Sequence, residues 1–376
     1  MTYFFIQRYK TSFYAENKIK TNGGINLKEK IIVPSRRSFI ISAASVTGQK
    51  EKRGPIGDSF DLSGDDRFGK DTWEKAEAEM QRLALGIAIK KAGLTADNID
   101  VLFAGDLINQ CISSSYGLSE YMIPFLGLFG ACSTCAEGLL MASVYSTYYR
   151  RCGAVTSSHY CSAERQFRFP LEYGGQRSPT AQWTVTGSGA FIVSTETYDA
   201  LHFDGDFIPE IVELLPGRII DRGINDANQM GAAMAPAAID TLTRYFESGR
   251  NPEDFDMIAT GDLGYDGSGI LCDLLMSSGV NITINHSDCG LIIFDRGSSD
   301  THAGGSGCGC SATVLASNIL PNIKNGTLRD ILFIGTGALM NTMSLNQGQT
   351  IPGIAHLVRI RATPKSEINK GEVNIV

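Results

Sequence analysis

Two short apolar runs in this chain end in the same three residues. Residues 99–107 read IDVLFAGDL and residues 255–263 read FDMIATGDL. A run of this length, stopped by Gly-Asp, has the pattern of a buried strand. Each is preceded by a segment with apolar residues at helical spacing, residues 73–93 and 235–249, and each of those closes on a glycine. Each is followed by a small-residue stretch that opens another helix, GACSTCAEGLLMAS at 130–143 and GGSGCGCSATVLAS at 304–317. Further strands are expected at 183–196 in the first half, and at 331–339 and 351–361 in the second. The repeated order of elements predicts an α/β chain of two βαβ-type halves, 35–217 and 218–376, behind an extension at 1–34.

The stretch 125–143, FLGLFGACSTCAEGLLMAS, carries the candidate chemistry. Its pattern predicts a buried strand at 125–129 that delivers Cys132 to the first turn of a helix. A helix N-terminus offers free N–H donors and a partial positive charge. Both favour a thiolate nucleophile, and the same donors can hold an anion that is bound and never transformed.

Composition narrows the choice of class. The chain has 376 residues, is 43% hydrophobic and 19% charged, and carries a formal net charge of -7. It reads as globular, and without a basic stripe no nucleic-acid partner is expected. No apolar run has the length of a membrane span, and residues 1–30 lack the apolar core of a signal peptide. The nine cysteines form no disulfide framework and read as free thiols. Cys132 and Cys135 have a CxxC spacing that permits redox chemistry, although Cys135 also reads as packing. Cys308 and Cys310 read as packing, so no metal site is expected. The Gly335-Thr336-Gly337 pattern lacks a following phosphate-binding helix, so no nucleotide or other cofactor is expected. The segment 159–177 reads as a long loop rich in charge, with His159, Glu164, Arg165, Arg168 and Glu172. Its arginines are suited to a carboxylate, and His159 follows an expected strand at 154–158. Asp106 and Asp262 end the paired strands, where capping is the simple role.

Longer motifs point to a family. FGACST (129–134), ERQFRFPLEYGGQ (164–176) and AGGSGCGCSA (303–312) carry the resemblance. TSSH (156–159), MGAAMAPAA (230–238), NHSDCGLIIF (285–294) and GPIG (54–57) extend it. The chain resembles the thiolase-like superfamily, including the β-ketoacyl synthases, and within it the stage V sporulation protein AD family of endospore-forming bacteria. That resemblance implies a five-layered αβαβα fold of two similar halves, with Cys132 matching the acyl-carrying nucleophile. It also implies a homodimer, because the segment TVTGSGAFIV (184–193) is similar to a superfamily strand at the subunit contact. Where β-ketoacyl synthase III carries a histidine this chain has Asp262, and the second helix start reads Gly304, Gly305, Ser306, Gly307. An acid beside a thiol raises its pKa, so binding is expected in place of condensation. The family role implied is binding of dipicolinic acid during its movement into the developing spore, with other SpoVA proteins as partners at the spore inner membrane. Whether calcium accompanies the ligand stays open.

A flat aromatic dianion needs paired donors and an apolar slot. The residues expected to supply them are Cys132, Ser133 and Thr134 at the first helix start and a glycine nest at Gly304, Gly305, Ser306 and Gly307. His159, Arg165, Arg168 and Asp262 complete the set. Two alternatives remain at this stage, a β-ketoacyl synthase III-like acyltransferase using Cys132 and a CxxC thiol oxidoreductase.

Overall fold

Segments with both faces apolar become interior strands, and amphipathic segments become the helices that cover them. The computed structural model describes residues 31–169, 176–297 and 300–368. Most of the expected N-terminal extension (1–30), and residues 170–175 with Glu172, lie outside the described residues. The strands are β1 (Ser38–Thr47), β2 (Leu62–Ser63), β3 (Val101–Gly105), β4 (Phe125–Leu128), β5 (Arg151–Ser158), β6 (Trp183–Thr184) and β7 (Gly187–Ser194). They continue with β8 (Phe207–Leu215), β9 (Met257–Thr260), β10 (His286–Asp288), β11 (Gly305–Ser306), β12 (Asp330–Ala338) and β13 (Gly353–Pro364).

Their spatial order is β4-β3-β5-β7-β1-β8-β13-β12-β9-β10, with β2 beside β1 and with β6 and β11 paired separately. The order is symmetric about the β1–β8 seam. In the first half β3 runs parallel to β4 and β5, and β7 is antiparallel to β5 and β1. In the second, β9 runs parallel to β10 and β12, and β13 is antiparallel to β12 and β8. The seam is short, pairing only Ser38 with Ile211 and Phe39 with Glu210. Arg37 reinforces it by forking onto Glu210 at 2.8 Å through both Nε and Nη2. By strand order β8 groups with the second half, ahead of the 217/218 division expected from the sequence.

Two helices fill the space between the half-sheets. Thr134–Tyr145 packs on β3 and β5 of its own half and on β12 and β13 of the other. Its counterpart starts at Cys308, packs on β7, β5 and β1, widens into one π-helical stretch at Leu315–Ile319 and resumes at Leu320–Lys324. Pro321 explains the widening, since it lacks an N–H and crowds the preceding turn. The helix Trp73–Lys91 covers the outside of the first half-sheet, capped by the Thr72 hydroxyl, which accepts from the Lys75 N–H at 3.3 Å. Met230–Glu247 covers the second. Outer helix, sheet, paired inner helices, sheet and outer helix make the five layers.

Three expectations change. The Thr184–Val193 segment expected at a subunit contact is interior: β7 is buried along its whole length between β1 and β5. The strand at 125–129, expected to be buried, is the outermost strand of its half-sheet, and Phe125, Leu126 and Gly127 are exposed. An apolar run shows that a face is covered without saying whether the same chain covers it. The stretch after His159, read as a loop, forms the helix Tyr160–Phe167.

The first half also buries an acid that has no cation bonded to it among the described residues. Glu77, fully buried on the Trp73–Lys91 helix, accepts from the Ser157 and Ser162 hydroxyls at 2.9 and 2.8 Å. Burial first, and then the nearby Asp106 carboxylate, push its pKa up to about 8. The unfolded chain releases the same proton near 4.5, so between these values the folded state holds more protons and stability falls as pH rises. Glu77→Gln removes this penalty. The variant is expected to gain on the order of 2–3 kcal/mol relative to the parent between about pH 6 and about pH 9, read from urea midpoints.

Candidate functional site

The candidate site forms where the two halves meet. After β4 the chain makes a single 3-10 turn, Ala131–Ser133, before the helix Thr134–Tyr145 begins. Ala131 sits in the left-handed region at φ 53°, a conformation that costs a non-glycine residue on the order of 1 kcal/mol. The turn lies on β12 of the opposite half, and the GTG pattern at 335–337 permits that approach. A Cβ on Gly335 would come within 2.5 Å of the Ala136 Cβ, and one on Gly337 within 2.8 Å of the Gly130 carbonyl oxygen.

Asp262, at the end of β9, fixes the geometry. It is fully buried. Its Oδ1 accepts from the Thr336 hydroxyl at 2.8 Å, while its own N–H donates back to that hydroxyl oxygen at 3.0 Å. Its Oδ2 accepts from the Gly307 N–H at 2.8 Å, and the Cys132 thiol lies beside the carboxylate, within reach of its charge. Gly307 has φ 97°, and a Cβ there would lie 2.6 Å from Ser158 Oγ, so this position requires glycine. The backbone carbonyl of Asp262 accepts from Gln182 Nε2 at 2.7 Å, and Gln182 also donates to the Gly305 carbonyl at 2.9 Å.

These contacts set the electrostatics. Burial pushes the Asp262 carboxyl up to about 7. Burial and then the Asp262 charge hold the Cys132 thiol well above its ordinary value. Cys135 is likewise raised by burial. The histidine nearest Asp262 in chain order, His286, belongs to another arrangement. Its Nε2 pairs with Thr260 Oγ1 at 3.0 Å, Thr260 donates to Asp288 Oδ2 at 2.7 Å, and burial lowers the imidazole to about 4. Asp288 accepts from the N–H groups of Leu263, Gly264 and Gly290, which is a structural clasp on the loop after β9.

Beside Cys132 lies a cavity of about 230 Å³. That is below the 300–1,000 Å³ or so usual for drug-sized ligands and suits a small molecule. Its wall is mainly apolar, with Leu107, Phe129, Phe167, Met230, Leu339 and Met340, and the polar groups on it come from Cys132, Arg168, Thr184, Ser306 and Asn341.

Of the residues expected from the sequence, Cys132, Arg168 and Ser306 line the cavity, and Asp262 and Gly307 stand directly behind the thiol. Ser133 and Thr134 are buried at the helix start, but their hydroxyls turn back onto the Gly130 and Ala131 carbonyls at 2.6 and 2.7 Å. The glycine nest does not form as expected. The Gly304 N–H donates to the Thr301 carbonyl at 2.9 Å, Gly305 and Ser306 pair with β6, and the Gly307 N–H is held by Asp262. His159 does not line the cavity. Its Nδ1 accepts from the Cys161 N–H, its Nε2 pairs with the Asp66 carbonyl at 2.7 Å, and its ring packs on Trp73. Arg165 is on the surface and pairs with Glu74. Sequence reasoning missed Thr336, although its flanking glycines marked the place. It also missed the 338–341 turn and Met230, whose apolar character gave no signal beyond packing.

Comparison with known proteins fits this geometry. The family model for stage V sporulation protein AD (SpoVAD) matches residues 28–361. Stage V sporulation protein AD of Bacillus subtilis (strain 168) is 43% identical over 322 residues, covering 85% of this chain and 92% of that protein. Among solved structures, a variant of OleA from Xanthomonas campestris has a TM-score of 0.56 at 12% identity, over 87% of this chain and 98% of that one. Human mitochondrial 3-ketoacyl-CoA thiolase in complex with CoA has a TM-score of 0.54 at 12% identity, over 88% and 99%. At that identity the structures establish a shared thiolase-like fold, and the sequence matches establish the narrower kinship: the chain belongs to the stage V sporulation protein AD family.

Proposed function

We propose that the cavity beside Cys132 binds dipicolinate without converting it, and that the protein serves the SpoVA system that moves this ligand into the developing spore. The observation that carries this reading is the Cys132–Asp262 contact. Acyl transfer through a thiol needs a group that takes its proton. Here the thiol stands beside a buried carboxyl, and burial first, then the Asp262 charge, hold it protonated. A small, mainly apolar cavity with Arg168 on its wall suits a flat ring bearing a carboxylate. No helix among the described residues is long and apolar enough to cross a membrane, so contact with the spore inner membrane would run through other SpoVA proteins. A calcium ion travelling with the ligand is compatible with this reading and is not required by it.

We infer further that the chain forms a homodimer through the β4 edge. β4 is bonded on one side only, to β3, and it exposes Phe125 and Leu126 with Phe129 just beyond. An unpaired apolar edge is a template for another strand, and two copies related by a two-fold axis would satisfy each other there.

Three outcomes are expected. Calorimetric titration of the protein with dipicolinate gives saturable heat. Cys132→Ala retains binding within about tenfold, and Cys132→Trp abolishes it by filling the slot; absence of saturable heat in the parent rejects the reading. Iodoacetamide labels Cys132 slowly near neutral pH, and Asp262→Asn speeds that labelling about tenfold by removing the charge that opposes the thiolate, measured by peptide mass mapping. An acyl adduct on Cys132 after incubation with acyl-CoA would favour the acyltransferase instead. Leu126→Lys converts a dimer to a monomer in analytical ultracentrifugation, and a parent that sediments as a monomer removes the edge assignment.

A further inference from the structure

Two polar groups on the cavity wall are under-satisfied. The Arg168 guanidinium donates through Nη1 to Glu164, one helical turn earlier. Its Nη2 points to the Met230 thioether sulfur at 3.4 Å, and the described residues give that N–H no oxygen. A thioether is a weak acceptor, and a charged N–H spent on sulfur in an apolar setting is under-satisfied. On the same cavity Ser306 is 1% exposed, and its hydroxyl oxygen has no hydrogen-bond partner among the described residues. Both groups can bond a carboxylate oxygen.

The charges add a constraint. The Arg168 and Glu164 side chains are only 15% and 10% exposed, so they interact through a poorly screened medium. Arg168 is the one cation among the described lining residues, and it already faces one carboxylate. A ligand carboxylate placed beside an ionised Glu164 would give two negative charges against one positive charge. A guanidinium holds a carboxylate best through two parallel N–H groups, and Nη1 is the one that Glu164 occupies.

We infer that Arg168 is the carboxylate-recognition residue of this cavity and that Glu164 is its internal competitor, displaced from Nη1 when a ligand carboxylate takes both Nη groups. Ser306 Oγ donates to the same incoming group. The inference rests on the proposed function for the identity of the ligand and on the cavity wall for the exchange. Occupation of Arg168 by Glu164 lowers the apparent affinity by the fraction of molecules in which the guanidinium is free.

The test titrates the parent, Glu164→Gln, Arg168→Lys and Arg168→Ala with dipicolinate, picolinate, benzoate and pyridine, with near-UV circular dichroism confirming the fold of each. Glu164→Gln is expected to bind dipicolinate about tenfold tighter, and Arg168→Ala about tenfold weaker, with Arg168→Lys between Arg168→Ala and the parent. Picolinate and benzoate follow the same order, and pyridine, without a carboxylate, does not respond to these substitutions. If the parent binds dipicolinate and Glu164→Gln leaves the affinity unchanged or lower, Glu164 is a structural partner of Arg168 and the inference fails. If dipicolinate does not bind but benzoate does, with the expected dependence on residues 164 and 168, the proposed function falls and the inference stands. If no carboxylate binds the parent or Glu164→Gln, both fall.

Discussion

The centre of the molecule depends on one carboxyl group. Asp262 joins the end of β9, the end of β12 and the glycine before the second central helix, and it lies beside the thiol before the first. No cation neutralises it in this set of contacts, so its burial is compensated by hydrogen bonds alone. Loss of the Thr336 hydroxyl or of the Gly307 N–H would leave a carboxylate oxygen unsatisfied in the interior. The two halves therefore meet at a point where chemistry and packing cannot be varied separately. The same group that aligns the central helices also keeps the sulfur protonated.

That coupling explains how a thiolase-like fold can keep a cysteine at its centre and be suited to recognition. The helix start still presents Cys132 to a cavity, as the fold dictates. The surroundings then decide what the sulfur does. With a carboxyl beside it and a mainly apolar lining, the proposed function makes it a small, neutral wall element. On that proposal selectivity passes to the polar groups on the wall, Arg168 and Ser306.

Much of the fold was legible from the chain. The repeated Gly-Asp-Leu endings located β3 and β9, and the small-residue stretches located both central helices, because only small side chains fit where helices approach strands closely. β1 and β8 were not distinguished, since a strand buried on both faces has no alternation to read. At the site, Cys132 and Asp262 stood out because their residue types and positions were informative together. His159 and Arg165 misled for the same physical reason. A polar side chain next to a motif can satisfy itself locally, as His159 does on Asp66 and Arg165 on Glu74, and sequence spacing does not reveal the direction it takes. The hydroxyls of Ser133 and Thr134 turned back onto their own helix start, a common behaviour for these residues.

The long reach of β1 has a consequence for how the chain is made. β1 is synthesised long before its partners, since Val46 pairs with Ser188 and Ser38 with Ile211. Well over a hundred residues must be synthesised before this apolar strand finds β7 and β8. Through that interval β1 has only β2 and the Trp73–Lys91 helix to cover it, which leaves it prone to sticking to other nascent chains. The yield of active protein in the cell should therefore be governed by translation speed and chaperone supply as much as by the stability of the finished fold.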